Sequence, residues 1–592
     1  MSKKIDDYAM IGDGQTIALV SRTGAIDWLC LPRFDSDACF CALLGDDRHG
    51  SWTMRPEAPR FETHRRYCGD TLVLETEFTS DTGKVLLTDF MPIRSSRDSS
   101  VIRIVMGLEG EVAMQSALCA QFDYGTIGPW YTEEDGTFVG KVGPDLIAIR
   151  SDVKLTRDDE TIRAKFVLKT GESVSFSLQH DGSTHPAPAP VDAQRLLVET
   201  KSWWLDWIGS FKKKTDWPEF VKRSLITLKA LIYMPTGGIV AAGTAGLPER
   251  PGGRMNWDYR YCWLRDSTFL LTALFNAGFN AEAKAWLHWL LRAIAGSPDR
   301  IRIAYRVDGG RHLDEWQAHW LPGFDRSRPV LIGNAAARQR QLDVLGEIID
   351  STHLAERAGI ERGDWEFEVE RRLVLRIAET WREPDQGLWE SRGRPRHFVY
   401  SKVMAWVGVD RFLKMKSVRA HCDEACLRQL DSLRSEMHLD ICRQGYSEKR
   451  GSFVAYYGSY QVDGSLLLLP LIGFLPVEDP RMASTIAAVE AELMEGGFVR
   501  RKPAPILAAK EGCFLACSAW LANCMAMQGR RDEARALLER IMGIANDVGL
   551  LSEEYHVRQQ RLLGNMPQAL SHLAFINAAL CLDGPVLQRG GG

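Results

Sequence analysis

HDGSTHPAPAPVDAQRLLVETKSWWLDWI, residues 180–208, divides the chain into two unlike parts. Residues 180–192 are dense in proline and small residues and read as a linker. Residues 193–208 are amphipathic and read as a helical connector. Upstream, from about residue 17 to residue 179, short β-forming runs alternate with turn signals. TIALVSRTGAIDWLCL (16–31) and TLVLETEFTSDTGKVLLTDF (71–90) each place a Ser-x-Thr-Gly tetrapeptide between apolar runs, which predicts tight turns. VIRIVMGLEG and SVSFSLQH continue the pattern, and its regular spacing predicts an antiparallel β-sandwich.

Downstream of Trp217 the apolar period becomes that of helices. It predicts helical spans at 219–233, 267–277, 281–295, 335–355, 365–381, 402–416, 423–437, 465–472, 483–494, 512–527, 531–544 and 567–582. About twelve helices with no fixed-period repeat fit a closed α/α toroid better than an open solenoid. Functional residues would then lie on loops at one end of a rigid ring. The expected division is an N-terminal β-sandwich at 1–185, a linker with a helical segment at 186–215, and a helical barrel at 216–592.

Composition narrows the function. The chain is 45% hydrophobic and 25% charged, the usual mix of a soluble globular protein. A net charge of −4 argues against nucleic acid as a partner. No apolar run approaches the roughly 18 residues that span a bilayer, and the longest, residues 466–475, contains Pro470. No membrane partner is expected. The opening MSKKIDDYAM puts acids where a signal peptide needs its apolar stretch, which makes the cytoplasm the default location. The 13 cysteines follow no small-scaffold pattern and are expected to stay reduced. Cys422 with Cys426 beside His421, and Cys513 with Cys517, have the spacing of metal ligands on a helix face. Neither pair has a second CxxC or HxxxH partner, so they read as small buried or half-buried residues. The 18 tryptophans, roughly twice the usual share, are a weak hint of sugar binding.

The sequence holds no GxxxxGK[ST], HExxH or GxSxG, and Gly12-Asp-Gly14 lacks the third glycine and the helix of a dinucleotide site. What remains are loop carboxylates beside aromatics. In Gly387-Leu-Trp389-Glu390 an indole gives the acid an apolar wall, and desolvation raises a carboxyl pKa as a general acid requires, although spacing alone fits a surface glutamate beside a packing tryptophan better. In Leu551-Ser-Glu553-Glu554-Tyr555 two adjacent carboxylates rarely point the same way, so one could enter a site while the other caps or pairs, and a solvated Glu-Glu pair is the common alternative. NWDYRYCWLRD, residues 256–266, packs aromatics, two arginines and two aspartates ahead of a helix. Arginine and aspartate together hold polyols, and a structural ion-pair cluster is the equal alternative.

These motifs resemble glycoside hydrolase family 15, the glucoamylase- and trehalase-like inverting α-glucosidases. The likeness runs through IDDYAMIGDGQTIALVSRTGAIDWLCLPRFDS (5–36), NWDYRYCWLRDS (256–267), GLWESRGRPRHFVYSKVMAWVGVDR (387–411), GSLLLLPLIGFLP (464–476) and SEEYHVRQQRLLGNMPQALSHLAFINAA (552–579). It implies an antiparallel β-sandwich followed by an (α/α)6 barrel, with Glu390 as general acid and Glu553 as general base. It also implies that Arg265 and Asp266 grip the terminal glucose, that Trp263 lines that pocket with Trp257, Tyr259 and Trp389, and that Arg501 and Glu511 make further sugar contacts. Three stretches depart from the family pattern: residues 241–249, Leu331 ahead of Ile-Gly-Asn334, and residues 504–510. They are expected to border the leaving-group side.

The reaction implied is exo-hydrolysis of an α-glucosidic bond with inversion and no metal or organic cofactor. The carboxyls of such a pair stand about 6.5–9.5 Å apart to admit a water. A glucoamylase-like enzyme acting on small α-glucosides or oligosaccharides is the first expectation. A trehalase or an isomalto-oligosaccharide glucohydrolase of the same family is the alternative, and a non-catalytic sugar-binding protein on the same scaffold is the alternative of another class. The partner expected is an oligosaccharide or disaccharide, with a homo-oligomer left open.

Overall fold

The computed structural model describes residues 4–296, 300–360, 363–503 and 511–584. In the N-terminal part every strand pairing is antiparallel. Both predicted turns join hairpins: Ile17–Ser21 pairs with Ala25–Cys30, and Leu74–Ser80 pairs with Gly83–Phe90. Two sheets share the 21-residue strand Ser99–Cys119. Its first half pairs with Gly83–Phe90 and Ser173–Gly182, in the register Val101↔Leu178. Its second half pairs with Ser51–Pro56 and Thr161–Lys169, in the register Met114↔Phe166. Burial alternates along Leu74–Ser80, as a strand with one face on the core requires. Trp52, Phe78, Leu87, Val105 and Met114 fill the space between the sheets.

The connector forms as expected, a helix over Ala193–Ile208 with Asp192 capping its first turn. The proline-rich stretch read as linker over 180–192 begins later, because residues 180–182 still pair within the strand Ser173–Gly182, inside the 1–185 span expected for the sandwich.

The helical part is two concentric rings. Ser267–Ala277, Asp343–Arg357, Val399–Lys414, the short segment Gly464–Leu467 with Leu468–Leu471, Leu515–Met527 and Ala569–Asp583 pack in succession, and the last returns to the first. Pro218–Ala230, Asn280–Ile294, Asp364–Thr380, Glu424–Gly445, Pro480–Leu493 and Arg531–Gly543 lie outside them. Sequence decides which helix goes where. Nearly every residue of Val399–Lys414 and Leu515–Met527 is buried, so those helices are apolar all round and belong to the inner ring. Arg531–Gly543 buries a single stripe of Ala534, Leu537, Leu538 and Ile541 and belongs outside. Gly346 lets two inner helices touch: a Cβ there would lie 1.9 Å from the Met404 carbonyl oxygen.

Some boundaries move. The helix expected over 335–355 starts at Asp343, because Asn334 caps a separate 3₁₀ turn, Ala335–Arg338. The helix expected over 423–437 continues to Gly445. No described helix is long and apolar enough to cross a membrane.

The sandwich docks against the loops of the barrel. Trp28 donates through Nε1 to the Gly243 carbonyl at 2.8 Å. Arg260 donates to the Ser36 carbonyl at 2.7 Å and the Tyr124 hydroxyl at 2.8 Å, and is buried against Asp258 at 2.6 Å. The loop that opens the first inner helix is thus braced from the β-domain.

Candidate active site

That bracing splits the residue 256–266 cluster into two functions. Asp258 and Arg260 are its structural half. Arg265 and Asp266 are its open half, at the start of the helix Ser267–Ala277. Asp266 makes no capping bond, so its carboxylate is free for Arg265, whose Nε donates to it at 3.0 Å. Both line a cavity of about 250 Å³ at the loop end of the ring. The structure brings every predicted site residue to that cavity: Trp257, Tyr259, Trp263, Arg265, Asp266, Trp389, Glu390, Arg501, Glu511 and Glu553.

Glu390 stands on the loop between two helices with φ 54°, a left-handed turn that aims its carboxylate back over the ring. Gln339 holds the loop by donating to the Glu390 carbonyl at 3.1 Å. Two donors converge on Oε1: Trp263 Nε1 at 2.7 Å and Arg265 Nη1 at 3.0 Å. Burial opposes the charge of Arg265, but Asp266 and Glu390 more than offset it, and its pKa lies above the ordinary value. Trp389 packs against Phe514 at 5.3 Å and Trp520 at 6.2 Å, a dry wall beside the acid.

Glu553 is fixed by its neighbours in the chain. The Leu551 amide donates to His572 Nε2 at 3.1 Å, Ser571 donates to the Ser552 carbonyl at 2.8 Å, and Leu515 donates to the Glu553 carbonyl at 3.1 Å. Two inner helices therefore hold residues 551–553. Burial pushes the His572 imidazole down to about 3, so it stays neutral and can accept. Tyr259 donates to Glu553 Oε1 at 3.0 Å, while Oε2 is buried with no hydrogen-bond partner among the described residues. Burial, and then the charge of Glu249, push the Glu553 carboxyl well above the usual range; Arg501 and Tyr259 pull it down.

Glu554 points elsewhere, as the adjacency of two acids predicts. It accepts from the Gly512 amide at 2.9 Å and lies 3.4 Å from Arg501. Arg501 is the centre of an acidic cage. It pairs with Glu249, with Glu511 at 2.6 Å and with Glu554. Oxygens of Glu249, Glu511 and Glu554 lie within 4.8 Å of one another, the spacing of a cation site, and the Arg501 guanidinium supplies positive charge there.

Sequence reasoning missed Glu249, Phe269, Arg392, Phe514, Trp520 and Gln568, which also line the cavity. Phe514 and Trp520 fall inside a helical period and carry no signal distinct from core. Glu249 ends the departing 241–249 stretch, and an acid in that loop was the available clue. The 504–510 stretch lies outside the described residues. The cysteine pairs do not enter the cavity lining, and all 13 cysteines are free thiols.

A pair of carboxylates lining one loop-end cavity of an (α/α)6 ring is an arrangement that a glycoside hydrolase can use. Two family models match: glycosyl hydrolases family 15 over residues 217–580, and the trehalase-like N-terminal domain over residues 1–195. The trehalase of Mycobacterium tuberculosis is 34% identical over 97% of this chain and 89% of its own length. The trehalase of Thermoplasma volcanium is 33% identical over 99% and 94%. A bacterial glucoamylase complexed with acarbose shares the fold, with a TM-score of 0.72 at 13% identity over 98% of this chain and 95% of its own. The chain belongs to glycosyl hydrolase family 15.

Proposed function

We propose that the protein is an inverting, exo-acting α-glucosidase whose substrate is α,α-trehalose. The observation that carries the chemistry is the meeting of Glu390 and Glu553 in one cavity with the Arg265–Asp266 pair. The linkage rests on relatives named trehalase that match almost end to end.

Arg265 and Asp266 would hold hydroxyls of the terminal glucose, one donating and the other accepting. Glu390 would give its proton to the glycosidic oxygen from Oε2, because Trp263 and Arg265 occupy Oε1. Glu553 would take a proton from a water attacking C1 on the opposite face. A carboxylate short of donors in a dry site is a strong base, which suits that role.

Early products test the reading. Inversion at one ring of trehalose, with the other ring leaving unchanged, gives α- and β-glucose in equal amounts. Proton NMR at early times should show that ratio. Only α-glucose would reject inversion, and no glucose from trehalose would reject the substrate.

A second reading exchanges the two roles, and one observation favours it: burial raises the Glu553 carboxyl well above its ordinary range, while Glu390 faces Arg265 at 3.0 Å. α-Glucosyl fluoride decides between them, since fluoride leaves without a general acid. With the roles proposed here, Glu390→Gln hydrolyses the fluoride and Glu553→Gln does not. The reverse outcome exchanges the assignments.

A further inference from the structure

A second cavity, of about 620 Å³, abuts the catalytic one, and the two share Trp257 and Arg392 in their walls. The Arg392 guanidinium carbon lies 4.7 Å from the Trp257 ring centroid. The same guanidinium meets Glu315 as a fork, Nη2 to Oε2 at 2.9 Å and Nη1 to Oε1 at 3.4 Å. Glu315 is anchored in turn by the Ala335 amide at 3.1 Å. Three side chains thus form a partition between the two spaces.

The partition stands at the rim. The floor of the catalytic pocket comes from inner helices, where Phe269 and Trp520 stack at 5.7 Å. Trp257, Glu315 and Arg392 all come from loops. Arg392 follows Glu390 by two residues, so the partition lies beside the group that, under the proposed function, protonates the departing oxygen. Leu331, one of the departures from the family pattern, lines the space beyond it.

We propose that the Glu315–Arg392–Trp257 clasp sets the chain length of the substrate: it closes the leaving-group side after one sugar, and the second cavity is the room a longer leaving group would need. This rests on the assignment of Glu390 and on exo action. The clasp is held without being locked. The Arg392 and Glu315 side chains are 41% and 19% exposed, so solvent screens the pair and leaves it weak. Stacking on the indole adds a modest attraction. A weak clasp suits a pocket that must open for each substrate. The space beyond is lined by Arg254, Gln317 and His319, polar groups that accommodate sugar hydroxyls.

The test is a ratio of kcat/KM values: trehalose carrying one extra α-1,4-glucose on one ring, over trehalose itself. The unsubstituted ring enters the terminal pocket and maltose leaves. Wild type, Arg392→Ala and Glu315→Ala are compared, the last leaving every lining residue of the catalytic cavity in place. We expect the ratio to rise at least tenfold in both variants, through a lower KM for the trisaccharide, and Glu315→Asp to keep it near wild type. A ratio within twofold of wild type in both alanine variants overturns the proposal. Thermal unfolding of each variant establishes that it is folded, and Arg392→Gln replaces an alanine variant that is not. A wild type inactive on trehalose defeats the substrate reading alone. The ratio is then read on the α-linked glucobiose it does hydrolyse and that sugar's one-glucose extension, with the same criteria. Activity on no glucobiose overturns both.

Discussion

Arg265 reaches Glu390 at 3.0 Å and, through the same Nη1, the Leu388 carbonyl at 2.8 Å. One guanidinium therefore grips both the acid and the backbone that carries it, while its Nε is spent on Asp266. A lysine has one compact ammonium in place of this planar fork and cannot serve all three. Arg265→Lys should lower kcat/KM by roughly 10- to 150-fold, the span of a lost hydrogen bond to a charged group of about 1.5–3 kcal/mol. The loss on α-glucosyl fluoride should be smaller if Glu390 is the general acid proposed above, because that acid is then dispensable. Equal losses on both substrates would confine Arg265 to sugar binding.

Tyr259 is the donor that steadies the Glu553 carboxylate. Removing it leaves a buried carboxylate without that bond, and the bond pulls the Glu553 pKa down. Tyr259→Phe should therefore reduce kcat and move the acidic limb of the pH–rate profile upward. In the wild type that limb should already lie above the ordinary carboxyl value of about 4.3, since burial and Glu249 raise it. A limb at or below that value in the wild type, or a downward move in the variant, contradicts the electrostatics of the pocket.

The same burial has a consequence for stability. Burial raises the carboxyls of Glu553 and Glu554 well above their ordinary values. A carboxyl that binds its proton more tightly when folded contributes stability in full below its unfolded pKa, about 4.3. That contribution is lost as pH rises through the folded value. Glu553→Gln and Glu554→Gln should each raise the unfolding midpoint at pH 7, by a stability on the order of 1 kcal/mol or more. The gain should shrink toward nothing near pH 4. Denaturation scans at the two pH values check this, and a gain independent of pH would assign the effect to packing.

The periodicity that reveals the rings is a statement about burial, which is why it was legible. Helices such as Ser267–Ala277 and Ala569–Asp583 announce themselves because apolar runs of that length have few other ways to fold. Boundaries set by local side chains were not legible, as where Asn334 turns a predicted helical start into a separate 3₁₀ turn. Nor was the sharing of the strand Ser99–Cys119 between two sheets, which depends on partners far along the chain. Local sequence made Glu390 and the Glu553–Glu554 pair candidates, as acids beside an aromatic or a second acid in a loop, and the family resemblance singled out Glu390 and Glu553. Glu249 was missed because its meaning comes from Arg501, 252 positions away in sequence. The Asp258–Arg260 and Arg265–Asp266 pairs look alike in sequence, and only docking of the β-domain on Arg260 separates the brace from the pair that lines the cavity.

Gly564 carries the last prediction. Its φ is +75°, and a Cβ there would stand 2.6 Å from Glu553 Oε2 and 2.7 Å from Glu553 Cβ. The backbone has nowhere to retreat. The Gly564 amide donates to the Pro248 carbonyl at 2.8 Å, and Asn565 is tied to the Trp257 carbonyl at 2.9 Å and to Thr244 at 2.9 Å. An added methyl must displace the Glu553 side chain. Gly564→Ala should cost about 1–2 kcal/mol of stability from the left-handed backbone alone. It should lower kcat at least about 100-fold, the scale of a mispositioned general base, with KM changed far less. The loss should persist in Gly564→Ser. Introduced into Glu553→Gln, which under the proposed roles already lacks the base, Gly564→Ala should lower the residual kcat little further. Near-normal kcat in Gly564→Ala would show that Glu553 can move without consequence, and would remove it from the reaction.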